Sequence, residues 1–215
     1  MSNAHVWSTP ILDKSLAPTL QRRMPRQQRS RDRFKKIVDV ARKLIADRGN
    51  DAVSMREIAL AADIPIASVY QYFPDKNGLL WTLIADVFET LETKWNADLK
   101  TVDSVVALNR AALALFDELV VQCEADICFS RLWISVQANA VLAELDHAFN
   151  IRIADTYADK LYELDEDANR DDAWHRTLLM ATLSSTALQL AFQMEANRKA
   201  ILDEFRMVLK QQLER

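Results

Sequence analysis

The chain has 215 residues, half of them apolar, and a formal net charge of −4, enough for a sizeable core in one large or two small domains. It has no apolar run of eighteen or more residues and no signal-peptide hydrophobic segment, which argues against a membrane-spanning helix and for a cytoplasmic protein. The two cysteines, Cys123 and Cys128, lie five apart and form no ordinary disulfide on one helix, which fits a reducing compartment.

Glycine is the compositional outlier. There are two, Gly49 and Gly78, where average usage would give about fifteen. All five prolines lie at or before residue 74. The long remainder, nearly free of turn formers, reads as helices joined by short polar connections, so the fold class is all-α with about nine helices. The charge is divided: residues 22–76 carry a net +6 and residues 77–215 a net −10. A basic front on an acidic body points to a polyanion partner for the front alone.

Residues 1–28 contain Pro10, Pro18 and Pro25 with little periodicity and read as an extension. It runs into "RRMPRQQRSRDR", which holds six arginines, Arg31 among them. Ser30 is the expected cap of a first helix, whose Phe34, Ile37, Val38, Ala41, Leu44 and Ile45 recur at helical spacing, with Gly49 ending it. Ser54 and Glu57 have capping-box spacing for a short second helix, whose inner face is Met55, Ile58, Ala59 and Ala62. Residues 29–76 form the expected front domain.

The run Val69-Tyr70-Gln71-Tyr72-Phe73 has the composition of a strand, but no second β-like segment lies nearby to pair its backbone. As a helix from Pro65 to Phe73 it places Ile66, Val69 and Phe73 on one face and turns Tyr70 and Gln71 outward. Pro74 stops it, and Asp75 caps a long helix to about residue 97. Further helices follow at about 103–122, 127–138, 140–164, 172–195 and 197–213, with Asp103, Asp126 and Asp171 as expected caps. Residues 77–215 form the helical body.

Two short helices joined by a tight turn, the second bearing exposed polar and aromatic groups, make a helix-turn-helix. Ala59 is small where the helices cross. Ile58, Ile64 and Val69 fill the space between them, and Asp63 must take the left-handed backbone usually given to glycine. Residues 31–80, with "ADRG", "SMREIALAADI" and above all "ASVYQYFPDKNGLL", resemble the DNA-binding domain of TetR-family transcriptional regulators. The pairing of Tyr70-Gln71-Tyr72-Phe73 with Lys76 is the sharpest part of the likeness.

The resemblance implies a homodimer that sets one recognition helix per subunit in a major groove of an inverted-repeat operator. By position in the motif, Ile66, Ala67 and Gln71 face base edges, and Tyr70, Tyr72, Lys76, Ser54 and Arg56 face phosphates. Met55, Pro65, Ser68 and Arg31 complete the candidate set. The chemistry is apt: glutamine pairs with adenine in bidentate fashion, apolar groups meet thymine methyls, and lysine and tyrosine suit phosphate oxygens.

The family pattern also implies an effector cavity in the body and a dimer interface on the last two long helices. Candidates for the first are Asn109, Phe116, Phe129, Trp133, Gln137, Phe149 and Tyr157, and for the second Leu183, Ala187, Leu188, Phe205 and Leu209. The aromatic content points to an apolar or aromatic effector. The alternative is a dimeric DNA-binding protein with no small-molecule effector, controlled by a protein partner. Catalysis has no support: His5, His147 and His175 are scattered, lack metal-ligand spacing with the cysteines, and no glycine-rich phosphate loop or cofactor motif occurs.

Overall fold

The computed structural model describes residues 28–134 and 138–214. Their helices are α1 (Gln28–Arg48), α2 (Met55–Ala61), α3 (Ile66–Tyr72), α4 (Lys76–Leu99), α5 (Val105–Ala125), α6 (Ile127–Ile134), α7 (Ala140–Leu164), α8 (Arg170–Gln193) and α9 (Arg198–Leu213), with a 3-10 turn at Glu195–Asn197 between the last two. Among the described residues there is no strand, as the scarcity of glycine and the lack of β-like partners require.

The caps follow local hydrogen bonding more than acidity. Ser30 lies inside α1, which begins at Gln28, so it caps nothing. Ser104 rather than Asp103 caps α5, accepting from the Ala107 N–H at 3.3 Å. Asn169 rather than Asp171 caps α8, and Asp171 and Asp172 sit in its first turn, where their charge faces the positive end of the helix dipole. Asp126 behaves as expected, accepting from the Phe129 N–H at 3.1 Å at the start of α6. Gly49 closes α1 at φ +80, and its N–H donates to the Ile45 carbonyl at 2.8 Å.

One buried cluster runs from α1 to α9. In the front, Ile37, Ala41 and Ile45 of α1 pack with Ile58, Val69 and Leu79. The long α4 leaves that layer and enters the body, where the Phe88 ring stacks on Phe149 at 4.5 Å and meets Trp133 edge-on at 5.3 Å. Helices α7, α8 and α9 form successive packed layers. Front and body are joined laterally by α1 on α6: Arg42 pairs with Asp126, and Arg131 donates to the Asp47 carbonyl at 3.0 Å.

Candidate nucleic-acid interface

The front is built around two short helices that cannot stand alone. Helix α2 is started by Ser54, whose hydroxyl accepts from the Glu57 N–H at 3.3 Å while the Glu57 carboxylate accepts from the Ser54 N–H at 2.8 Å. The Ser54 N–H and hydroxyl, each donating to the Glu57 carboxylate at 2.8 Å, hold that carboxyl below its ordinary pKa, with Arg48 adding to the effect at 3.0 Å. The turn then closes tightly. The Ile64 N–H donates to the Ala59 carbonyl at 3.0 Å, and Asp63 takes φ 51, the left-handed position foreseen for it. Ala59 is buried at the crossing.

Pro65 sits one place before the helix it was expected to begin. It is the N-cap of α3, and its carbonyl accepts from Ser68 and Val69. Val69 and Phe73 are then fully enclosed, and Phe34 of α1 packs its ring 5.1 Å from that of Phe73. Anchored from behind, α3 presents Ile66, Ala67, Tyr70 and Gln71 to solvent, with Tyr70 48% exposed and Ser68 half-buried beside them. Arg56 and Pro65 are exposed on the flank, and Arg31 is exposed on the first turns of α1.

Three candidates stand differently. Met55 is only 7% exposed and belongs to the core, because the first residue of α2 turns its long side chain inward with Ile58 and Ala59. Tyr72 is half-buried. Its hydroxyl shares a hydrogen bond with Ser30 at 2.9 Å and its ring lies edge-on to Phe34, so it ties α3 to α1. Lys76 donates to the Asn50 carbonyl at 2.6 Å, and burial lowers its pKa against the opposing pull of Asp51 and Glu57. In this structure Tyr72 and Lys76 brace the motif from within. Leu60, 82% exposed, adds an outward apolar group that the sequence reading passed over. Its signal was present, since it falls off the Met55–Ile58–Ala59–Ala62 face.

The body candidates separate as clearly. A partly open pocket with a cavity of about 50 Å³ lies among α5, α7, α8 and α9. Phe116, Phe149 and Tyr157 line it, with Leu115, Asn150, Thr177 and Ser184 among the others. Phe129 and Trp133 do not line it; their rings pack with Phe88 in the core. Asn109 stands behind the wall, accepting from the Tyr157 hydroxyl at 2.6 Å and donating to the Leu213 carbonyl at 2.7 Å. Gln137 lies outside the described residues, as does the basic arm up to residue 27.

The family description "Bacterial regulatory proteins, tetR family" matches residues 37–81, and "Tetracyclin repressor-like, C-terminal domain" matches residues 115–215. The chain belongs to the TetR family. Its members are DNA-binding transcription regulators and not enzymes. The transcriptional repressor KstR of Rhodococcus jostii (strain RHA1) is 36% identical over 64 residues, 30% of this chain and 30% of that protein. The chain thus matches under a third of the length of such curated relatives. A TetR-family regulator from Streptomyces coelicolor superposes with TM-score 0.57 at 24% identity, over 85% of this chain and 98% of that one. RolR in complex with resorcinol superposes with TM-score 0.58 at 20% identity, over 87% and 96%. These likenesses carry the TetR fold across the whole body, beyond the stretch that matches KstR. Among the described residues no helix is long and apolar enough to cross a membrane.

Proposed function

We propose that this TetR-family chain is a repressor that leaves its operator when a small apolar molecule occupies the body. The observation that carries the ligand-responsive part is the pocket among α5, α7, α8 and α9, walled by apolar side chains with a few buried polar groups. RolR, a protein of the same fold, holds resorcinol, which supports an interior site of this kind without identifying this chain's ligand.

The connection to DNA is physical. Helix α5 lines the cavity and ends at Asp126, which pairs with Arg42 on α1. Helix α1 in turn holds α3 through Phe34 and Ser30. An occupant that widens the cavity displaces α5 and with it the α1–α3 frame. It releases DNA only if it prefers the displaced state. Two copies would dock through the exposed apolar row of α8 and α9, setting their α3 helices at the spacing of an inverted repeat.

A second reading, a dimeric DNA-binding protein without a small-molecule effector, draws support from the modest free volume of the cavity. The experiment that separates them is a gel shift on the DNA flanking the protein's own gene, repeated with a panel of small apolar compounds. Retardation abolished by one compound supports the effector reading. Retardation untouched by every compound supports the second. Absence of any retardation on an inverted repeat in that DNA removes both.

A further inference from the structure

The polar groups at the cavity wall can be counted by what they have left to offer. Tyr157 donates its hydroxyl proton to Asn109 at 2.6 Å, and burial pushes its phenol up to about 12, so the proton stays. Ser184 donates to the Met180 carbonyl at 2.8 Å. Both oxygens therefore face an occupant as acceptors. Asn150 spends one amide hydrogen on Asp146 at 3.3 Å, which assigns its nitrogen to that side and leaves its carbonyl oxygen as a further acceptor. Thr177, buried in mid-α8, keeps an uncommitted hydroxyl. Tyr157, Asn150, Ser184 and Thr177 are all more than nine-tenths buried.

Behind this wall sits a buried carboxylate. Asp146 is 3% exposed and accepts from Ser185 at 2.8 Å as well as from Asn150. Its field is directed toward any charge placed at Asn150. Arg176, whose charge reaches Tyr157, and His147, whose charge reaches Asp146, do not line the cavity. An ion of either sign would lose its hydration against this largely apolar wall, and an anion would also find no cation in the wall and face the Asp146 carboxylate behind Asn150. The cavity, about 50 Å³, is well below the roughly 300 to 1,000 Å³ of sites for drug-sized ligands. Its occupant is small and enters by moving side chains apart.

We infer that the effector is a small neutral molecule with an apolar body of about one ring and a hydroxyl donor directed at Tyr157, Ser184, Asn150 and Thr177, and that the cavity rejects carboxylates. This rests on the effector reading above and names its chemistry. A hydroxyl suits the wall because it donates to the acceptor oxygens and accepts from Thr177. A plain hydrocarbon would leave the Thr177 hydroxyl without a partner and the spare acceptor sites of the other three unused.

Calorimetric titration of the full-length protein with four probes of one size tests it: phenol, toluene, benzoate and benzylamine. Phenol is expected to bind at least about tenfold more tightly than the other three, the size of one to two buried hydrogen bonds. Thr177→Val and Tyr157→Phe should each weaken phenol about 3- to 10-fold, while Thr177→Ser, which keeps the hydroxyl, retains binding and controls for misfolding. Asp146→Asn should admit benzoate. Benzoate or benzylamine matching phenol in the unaltered chain overturns the neutral-donor inference and leaves the effector reading standing. Toluene matching phenol, with no change in the variants, does the same. No heat with any of the four, and no release of retarded DNA by them, overturns both.

Discussion

At Gln71 the structure leaves a flexible amide in open solvent on α3, with Val69 and Phe73 buried behind it. An exposed amide gains nothing for the fold, so its removal separates recognition from stability. Gln71→Ala should leave the melting temperature unchanged, cost about 1–3 kcal/mol in operator binding and relax base preference at one position per half-site. Arg56→Ala should instead weaken all sequences alike and lower the salt slope by about 1. Titrations on operator and scrambled DNA at several salt concentrations distinguish the two, and an unchanged preference in Gln71→Ala would remove it from base reading. Asp146 is the opposite case, a charge kept at a cost. Burial raises its pKa above the ordinary 3.8, opposed by the bonds from Ser185 and Asn150 and by His147. The folded chain therefore holds that proton more tightly than the unfolded chain. Stability is complete below the ordinary value and is lost as pH rises through the raised one. Asp146→Asn keeps an acceptor oxygen for both partners and removes the charge. Its melting temperature relative to the parent should climb from about pH 4 toward neutrality, where it equals or exceeds the parent. A variant that loses ground over that range would show the ionised carboxylate to be well solvated.

At the scale of elements, the turn between α2 and α3 is set by one backbone angle. Asp63 at φ 51 occupies a region costly for most L-residues, and aspartate tolerates it through its short polar side chain. Asp63→Gly should be at least as stable as the parent, whereas Asp63→Ala should lose about 1 kcal/mol in denaturant unfolding. Equal stability of all three would mean that the turn relaxes freely. The same turn shows what the sequence could convey. Helix periodicity, the Ser54–Glu57 box, Gly49 and the two prolines are local signals, so α1 to α4 were legible to within a helical turn at each end. What was missed depended on distant partners. Nothing local tells Tyr72 that Ser30, forty-two positions earlier, will take its hydroxyl, or Lys76 that the Asn50 carbonyl will take its ammonium. In the body, aromatic content alone could not divide Phe116, Phe149 and Tyr157, which line the cavity, from Phe129 and Trp133, which fill the core around Phe88. That division depends on how α5 and α7 face α8 and α9.

For the whole molecule the decisive question is which side of α8 remains unsatisfied. Leu188 is fully buried and Leu209 nearly so, both in this chain's own core, and Phe205 packs its ring 5.1 Å from Phe116. None of these three is available to a partner as a primary contact. Leu179, Leu183 and Leu190 lie on the opposite side at a spacing of four and seven residues, all exposed, and Met207 and Val208 are exposed on the adjoining α9. Leu183 is 39% exposed, and Ala187 is half-buried beside this row. An apolar row of that length on the two final helices is costly to leave in water and matches a self-complementary interface about a two-fold axis. The two leucines therefore predict different failures. Leu183→Glu places a charge in the row proposed for docking and should give a folded monomer by sedimentation, with helical content unchanged and operator binding reduced to that of a single half-site by loss of the second subunit. Leu188→Glu buries an unpaired carboxylate and should destabilise the chain by more than about 3 kcal/mol before any effect on assembly can be read. A soluble, folded Leu183→Glu dimer would place the interface elsewhere. A monomeric but well-folded Leu188→Glu would mean that the α8 face was read the wrong way round.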